Sequence, residues 1–324
     1  MEQALAILTA AFSLGLALNI GANNSAAEMG PAYGAGVRSR RQALVLIAIF
    51  CTLGAVTSGH RVVHTIGQRL IGEGTLAERP GGALIIVLCA LVIIGLANLL
   101  RAPISTAHTV GGAVVGLGIF YGTTNVPLVA TMVAWWVVTP LVSLVASYLL
   151  GRLLYPWLVG AVASLGDRDR VYRVIGWSVT LSGCWMAFSA GSNSLAKALG
   201  PAVGAGILQV TPAAIVGGLA MAAGAFLLGG RIMTTVGKEI TKLCPLCAVL
   251  VEVVCATIVF TASRFGMPVS LTEIVTCSVI GLGLASGGVR KTADNRHVRR
   301  ILVLWPTAPV AAAAMAMGLQ FAVR

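Results

Sequence analysis

The chain has 324 residues and a net charge of +12, yet only 10% of its residues are charged, 57% are hydrophobic and the mean hydropathy is +0.93. A soluble domain carries about 25% charged residues, so most of this surface does not face water, which excludes a soluble enzyme or binding module. Lys and Arg cluster in short loops between apolar runs, the distribution that orients membrane proteins rather than a stripe that would bind nucleic acid.

The first apolar run, residues 4–36, lacks a basic leader and is followed by many others, so it reads as a span rather than a cleaved signal. A continuous helix over it would be about 50 Å long at about 1.5 Å per residue, too long for one upright crossing. The cluster from Gly21 to Ser25 is therefore expected to break it, with Gly30-Pro31 as a second weak point. Irregular backbone at membrane depth survives only when buried in protein or facing a wet cavity. A break there would leave N–H groups at a half-helix N-terminus, a ready anion site, to which Asn23, Asn24 and Ser25 would add neutral donors. The alternative is that these small residues only permit tight helix packing. Residues 42–59 and 82–100 are the next spans, separated by His60 to Arg79, an interfacial helix or a gate. Residues 102–122 follow, carrying Pro103-Ile-Ser105-Thr106-Ala-His108, an interrupted segment whose serine can cap a helix start. Residues 126–150 form the fifth span.

After the basic loop from Arg152 to Arg173 the same order returns. Residues 173–206 contain Asn193, Ser194 and Lys197; residues 208–229 and 246–262 are apolar; and residues 265–287 carry Pro268-Val-Ser270-Leu-Thr272-Glu273. Arg290 to Arg300 precede the last span, residues 301–322. The seven cysteines, mostly within apolar segments, read as small core residues. Cys244 and Cys247 form a lone CxxC with no second pair and no nearby His, so neither metal nor cofactor is expected.

The two passes are one fold written twice. Residues 21–36 read GANNSAAEMGPAYGAG and residues 191–206 read GSNSLAKALGPAVGAG, identical at nine of sixteen positions at an offset of 170. Arg61, Thr65 and Gly67 match Arg231, Thr235 and Gly237 at that offset, and Pro103, Ser105 and Gly116 match Pro268, Ser270 and Gly281 at 165. Arg38, Arg40 and Arg41 follow the first motif, whereas residues 207–212 after the second are uncharged, so corresponding loops prefer opposite sides of the membrane. The expected fold is an all-α integral membrane protein of ten crossing segments in two inverted-topology repeats, residues 1–165 and 166–324, with broken helices and hairpin-like segments at 101–122 and 265–287. That is the architecture of secondary transporters. With an odd number of crossings per half, both termini fall on the extracytoplasmic side of a multi-pass protein in the cell's inner (plasma) membrane, with the lipid bilayer as its surroundings.

Ionisable groups inside apolar zones are functional candidates by default, and here they are Glu28, His108, Lys197, Glu252 and Glu273. Lys197 is the repeat partner of Ala27, so it and Glu28 stand at adjacent equivalent positions. They could pair near a substrate, Lys197 offsetting its charge and Glu28 taking a proton, or form a structural ion pair. His108 and Glu273 are repeat equivalents and candidates for a proton relay or a satisfied polar contact. Glu252 could relay protons or face the cytoplasmic loops.

The blocks around Gly21, Pro103, Gly191 and Pro268 resemble the inorganic phosphate transporter (PiT) family, whose signature is a GANDxAN-type motif in each inverted half with PxSTTH-like hairpins. The hairpin matches are PISTAH from Pro103 and PVSLTE from Pro268; GRIMTTVGKEITKL from Gly230 matches a third family segment. The resemblance covers both halves and implies a small oxyanion held between broken helices and hairpins, with Asn23, Asn24, Ser25, Ser105, Thr106, Asn193, Ser194, Lys197 and Ser270 around it. The family's motif aspartate is Asn24 in the first half and Ser194 in the second, and its later asparagine is Ala27 and Lys197. Sulfate is fully ionised and only accepts hydrogen bonds, so donors suit it where a carboxylate would repel it. The chain is accordingly similar to the family's bacterial sulfate permease branch. Lost aspartates favour H⁺ over Na⁺ as the coupling ion. Phosphate symport on the same fold is the alternative, with an anion channel or a membrane-embedded enzyme behind it, and a homodimer is left open.

Overall fold

A computed structural model describes residues 2–99, 104–229, 244–285 and 296–323. Pro103, residues 230–243 with their GRIMTTVGKEITKL match, and residues 286–295 lie outside the described residues. Among those described, the chain is helical throughout, with α1 (Glu2–Gly34), α2 (Arg40–Ser58), α3 (His60–His64) and a π-helical turn at Thr65–Arg69. Next come α4 (Thr75–Glu78), α5 (Gly81–Leu99), α6 (Thr106–Tyr121), α7 (Val126–Leu153) and α8 (Tyr155–Ala163). The second pass holds α9 (Arg168–Gly204), α10 (Val210–Gly224) with a π turn at Ala225–Gly229, α11 (Pro245–Arg264), α12 (Leu271–Ala285) and α13 (Arg296–Val323).

By length and composition seven helices can cross a bilayer, while α6 and α12 are shorter apolar helices. The 37-residue α9 is long enough, but its Gly, Ser and Asn residues lower its hydropathy. Apolar side chains point both ways. Leu16, Ile20, Met29, Ile47, Ile66, Ile86, Ile94 and Leu117 are buried, whereas Val133, Val137, Leu141, Val145 and Leu149 form an exposed i, i+4 stripe along α7. Exposed aliphatic stripes are stable against lipid tails and costly against water.

The expected breaks do not occur. α1 is continuous for 33 residues through Gly21–Ser25 and Pro31, and α9 runs continuously through Gly191 and Pro201. Two things remove the reason to break. Only Glu2–Ser25 of α1 reads as a span, and the rest of the helix is largely buried beneath protein. The small residues also serve as crossing points. A Cβ on Gly21 would collide with the Met221 carbonyl of α10, and one on Gly191 with the Cys51 carbonyl of α2. Gly54 likewise lies on Phe188, and Gly224 on Leu18. Each of these contacts has its counterpart 170 residues away: 21·221 with 191·51, and 54·188 with 224·18.

The far ends are exchanged. α7 packs on α12, where Ser143 Oγ donates to the Ile274 carbonyl (2.9 Å) and Ser147 hydrogen-bonds Ser278. α13 packs on α6, with Gly112 against Pro309 and Gly116 against Ala313. The CxxC is local: Cys244 caps α11, its sulfur accepting from the Cys247 N–H and pairing with the Tyr155 hydroxyl, both at 3.2 Å.

Candidate functional site

The two signature helices, α1 and α9, cross antiparallel where Asn24 Nδ2 donates to Ser194 Oγ across 170 residues of sequence, 3.0 Å apart. The antiparallel sense follows from a second contact, since Arg38, just past the end of α1, donates through Nε to Thr180 Oγ1 (3.0 Å), further back along α9. Asn24 and Ser194 are therefore spent on each other in this state. Ser25 turns its hydroxyl to the Ala22 carbonyl of its own helix (3.0 Å). Asn23 differs, because its buried amide nitrogen has no hydrogen-bond partner among the described residues.

Two helix starts meet this crossing. Ser105 caps α6, accepting from the His108 N–H at 3.2 Å, and Ser270 accepts from the Glu273 N–H at 3.4 Å at the start of α12. The remaining first-turn N–H groups of a helix have no intrahelical partner, and Thr106, also buried, opens α6. The Glu273 side chain, on α12, joins the two starts. It also approaches His108 Nδ1 at 3.2 Å. The His108 ring lies 4.1 Å from the Trp136 ring, and Trp136 Nε1 donates to the Pro268 carbonyl at 2.8 Å.

The strand of chain leading into α12 is gripped from α9. Asn193 donates to Ser263 Oγ (3.1 Å) and the Met267 carbonyl (2.9 Å) and accepts from the Val269 N–H (3.1 Å). Lys197, fully buried, donates to the Val269 carbonyl at 3.0 Å. A buried ammonium is costly unless compensated, and its electrostatic partner is Glu273. Lys197, Glu273 and His108 thus form one polar group between two helix N-termini, donor-rich enough to hold an oxyanion and carrying a carboxylate that can lose or gain a proton.

Glu28 stands apart. It does not pair with Lys197, because α1 and α9 run oppositely from the Asn24·Ser194 crossing, so advancing along α1 moves back along α9. Its backbone reaches Gly183 instead, and its carboxylate lies beside the Cys51 thiol. That thiol donates to the Ala187 carbonyl (3.1 Å), which leaves both Glu28 oxygens without a hydrogen-bond donor among the described residues. Glu252 is also buried rather than turned to the loops, accepting from Ser182 of α9. Trp136 and Cys51 read as ordinary apolar residues and Ser182 and Ser263 as two serines among many, so only the fold shows their contacts. Among the described residues no cluster of three or more His, Cys, Asp or Glu side chains could hold a metal ion.

The sequence profile of the phosphate transporter family matches residues 20–316. Sulfate permease CysP of Bacillus subtilis is 36% identical over 299 residues, spanning 92% of this chain and 82% of the relative. A putative phosphate permease of Pyrococcus horikoshii is 28% identical, with 94% of each chain aligned. Among solved structures, one titled the sodium-dependent phosphate transporter superposes with a TM-score of 0.81 at 25% identity, covering 99% of both chains.

Proposed function

Since the chain belongs to the phosphate transporter family, a family of membrane transporters rather than enzymes, we propose that it imports sulfate by H⁺ symport with alternating access. The observation that carries this reading is the buried Lys197 beside the starts of α6 and α12, where the family motif's two aspartates are replaced by Asn24 and Ser194. A dianion that only accepts hydrogen bonds is matched by Lys197, the amide of Asn23 and the unpaired N–H groups of two helix starts. The Bacillus relative bears the name of a sulfate permease, which supports the same choice.

The working arrangement is two inverted repeats of five crossings, residues 1–165 and 166–324, with both termini extracytoplasmic and the substrate at the repeat interface. The contacts related by the 170-residue offset support it. Bringing a charge in against the membrane potential costs about 2.3 kcal/mol per 100 mV. Sulfate with two protons is neutral, so a third proton is needed before voltage favours uptake. Glu273, with His108 against it, is the proton carrier nearest the anion; Glu28 of α1 and Glu252 of α11 are further buried carboxylates. When Glu273 is protonated its repulsion of the anion vanishes and Lys197 is released to bind it, which couples the two loads.

Phosphate is the second reading, favoured by the family's name, the Pyrococcus relative and the sodium-dependent neighbour. Uptake of labelled sulfate into proteoliposomes under separate pH and Na⁺ gradients distinguishes them. Uptake driven by the pH gradient and indifferent to excess phosphate is expected. Accumulation of phosphate with no sulfate uptake would replace this proposal with the second reading.

A further inference from the structure

A cavity of about 670 Å³ opens beside the site, lined by His60, Arg61 and His64 of α3, Arg69 of the π turn, Arg264 at the end of α11, and Gly266. No acidic side chain lines it, and among the described residues none of these arginines forms an ion pair. Three guanidinium groups around one recess repel one another, so the arrangement costs free energy unless an anion visits it.

The backbone holds these cations together. Gly67 and Gly204 cross so closely that a Cβ on either would strike the other helix, which fixes the π turn on α9 and makes Gly204 part of the cavity floor. The π turn itself directs Arg69 to the recess, and such turns recur at functional positions. Arg61 donates to the Arg264 carbonyl, tying α3 to the end of α11. Gly266, with φ of +73°, tucks against the Thr65 hydroxyl and the Arg61 carbonyl. The residues that follow are the ones gripped from the other side: Met267 by Asn193 and Val269 by Lys197. One short stretch of chain, residues 266–269, therefore separates the basic recess from the buried ammonium.

We propose that this recess is a second anion site, a vestibule in which Arg69, Arg264 and the imidazoles capture a tetrahedral oxyanion before residues 266–269 yield and pass it to Lys197. The inference rests on the reading of the protein as an oxyanion transporter, but not on which oxyanion it carries. A cationic mouth raises the local substrate concentration and the capture rate without altering the buried site.

A cysteine placed in the vestibule reports on it, because none of the seven native cysteines lines it. In His64→Cys, sulfate is expected to slow modification by an anionic methanethiosulfonate reagent, and to do so equally when Lys197→Met has silenced the buried site. Gln68→Cys, on the same wall, serves if His64→Cys folds poorly. The double variant Arg69→Gln/Arg264→Gln should lose the protection and raise KM for uptake roughly three- to tenfold at unchanged kcat, the range for two partly exposed charge contacts. Protection by phosphate and not sulfate would uphold the vestibule while sinking the sulfate reading. Protection that requires Lys197, or an unchanged KM in the double variant, would overturn the vestibule itself.

Discussion

The starts of α6 and α12 share a backbone design and differ in chemistry. Each is opened by a serine whose hydroxyl accepts the N–H three residues on, and three residues after the serine stands a buried titratable group. In α6 that group is His108 and in α12 it is Glu273, and the two touch at 3.2 Å. The same asymmetry runs through the signature helices. Where α1 has Ala27, α9 has Lys197; where the Asn23 amide nitrogen on α1 has no partner among the described residues, α9 engages its counterpart Asn193 on three sides. The scaffold is doubled while the charge is concentrated in the second pass. In the proposed transport cycle a near-symmetric frame would rock between two states, and the asymmetric side chains would select the anion and its coupling ion.

Lys197→Met makes this position of α9 as neutral as its α1 counterpart, Ala27. Removing one partner of a buried charged contact costs about 2–5 kcal/mol, so sulfate uptake is expected to fall about thirtyfold or more, and sulfate should no longer raise the melting temperature of the purified protein. Uptake within a few-fold of the parent would remove Lys197 from the substrate. Glu273→Gln keeps the shape but not the charge that faces His108, nor the titration. Losing a hydrogen bond to a charged group is worth about 1.5–3 kcal/mol, so uptake driven by a pH gradient should fall about tenfold or more. Exchange of internal for external sulfate, which needs no net proton movement, should survive. Loss of both activities would make Glu273 structural rather than a proton carrier.

Returning the missing acid tests the substrate directly. Ser194→Asp restores the family's motif carboxylate opposite Asn24, where it can accept a hydrogen bond from a protonated phosphate and repel a fully ionised sulfate. A change of about tenfold in the ratio of phosphate to sulfate uptake is expected, the size of one charge contact worth about 1.4 kcal/mol. An unchanged ratio in competition assays would show that position 194 does not face the anion.

Much of the architecture is readable from the chain alone. Apolar runs of membrane length, the 170-residue offset and the basic loops are linear patterns, and the contacts Asn24·Ser194 and His108·Glu273 join positions that the repeat equates. What is not readable depends on direction and packing. The cluster Gly21–Ser25 has the composition of a break, and it is a continuous helix because its glycine meets the Met221 backbone and Asn24 meets a side-chain acceptor. Glu28 and Lys197 are neighbours by register and strangers in space, because the register says nothing of the antiparallel crossing. Trp136 and Cys51 look like ordinary apolar residues until the fold brings His108 and Glu28 against them.

The smallest expected effect tests the frame rather than the chemistry. Gly21 and Gly191 occupy equivalent positions, each lying on the carbonyl of a crossing helix, so alanine at either must push two backbones apart. Overpacking of this kind costs about 1–3 kcal/mol, and the two variants should lower the melting temperature in detergent by similar amounts. Gly30, in the same signature and the same helix as Gly21, has nothing within 4 Å of where a Cβ would stand. Alanine there meets no backbone and gains helix propensity, so Gly30→Ala should be neutral or stabilising by up to about 1 kcal/mol. If Gly21→Ala and Gly191→Ala destabilise together while Gly30→Ala does not, the glycines act through close approach at a doubled crossing. If Gly21→Ala is harmless and Gly191→Ala is not, the second pass carries the packing as well as the charge, and the two signature helices are equivalent in sequence only.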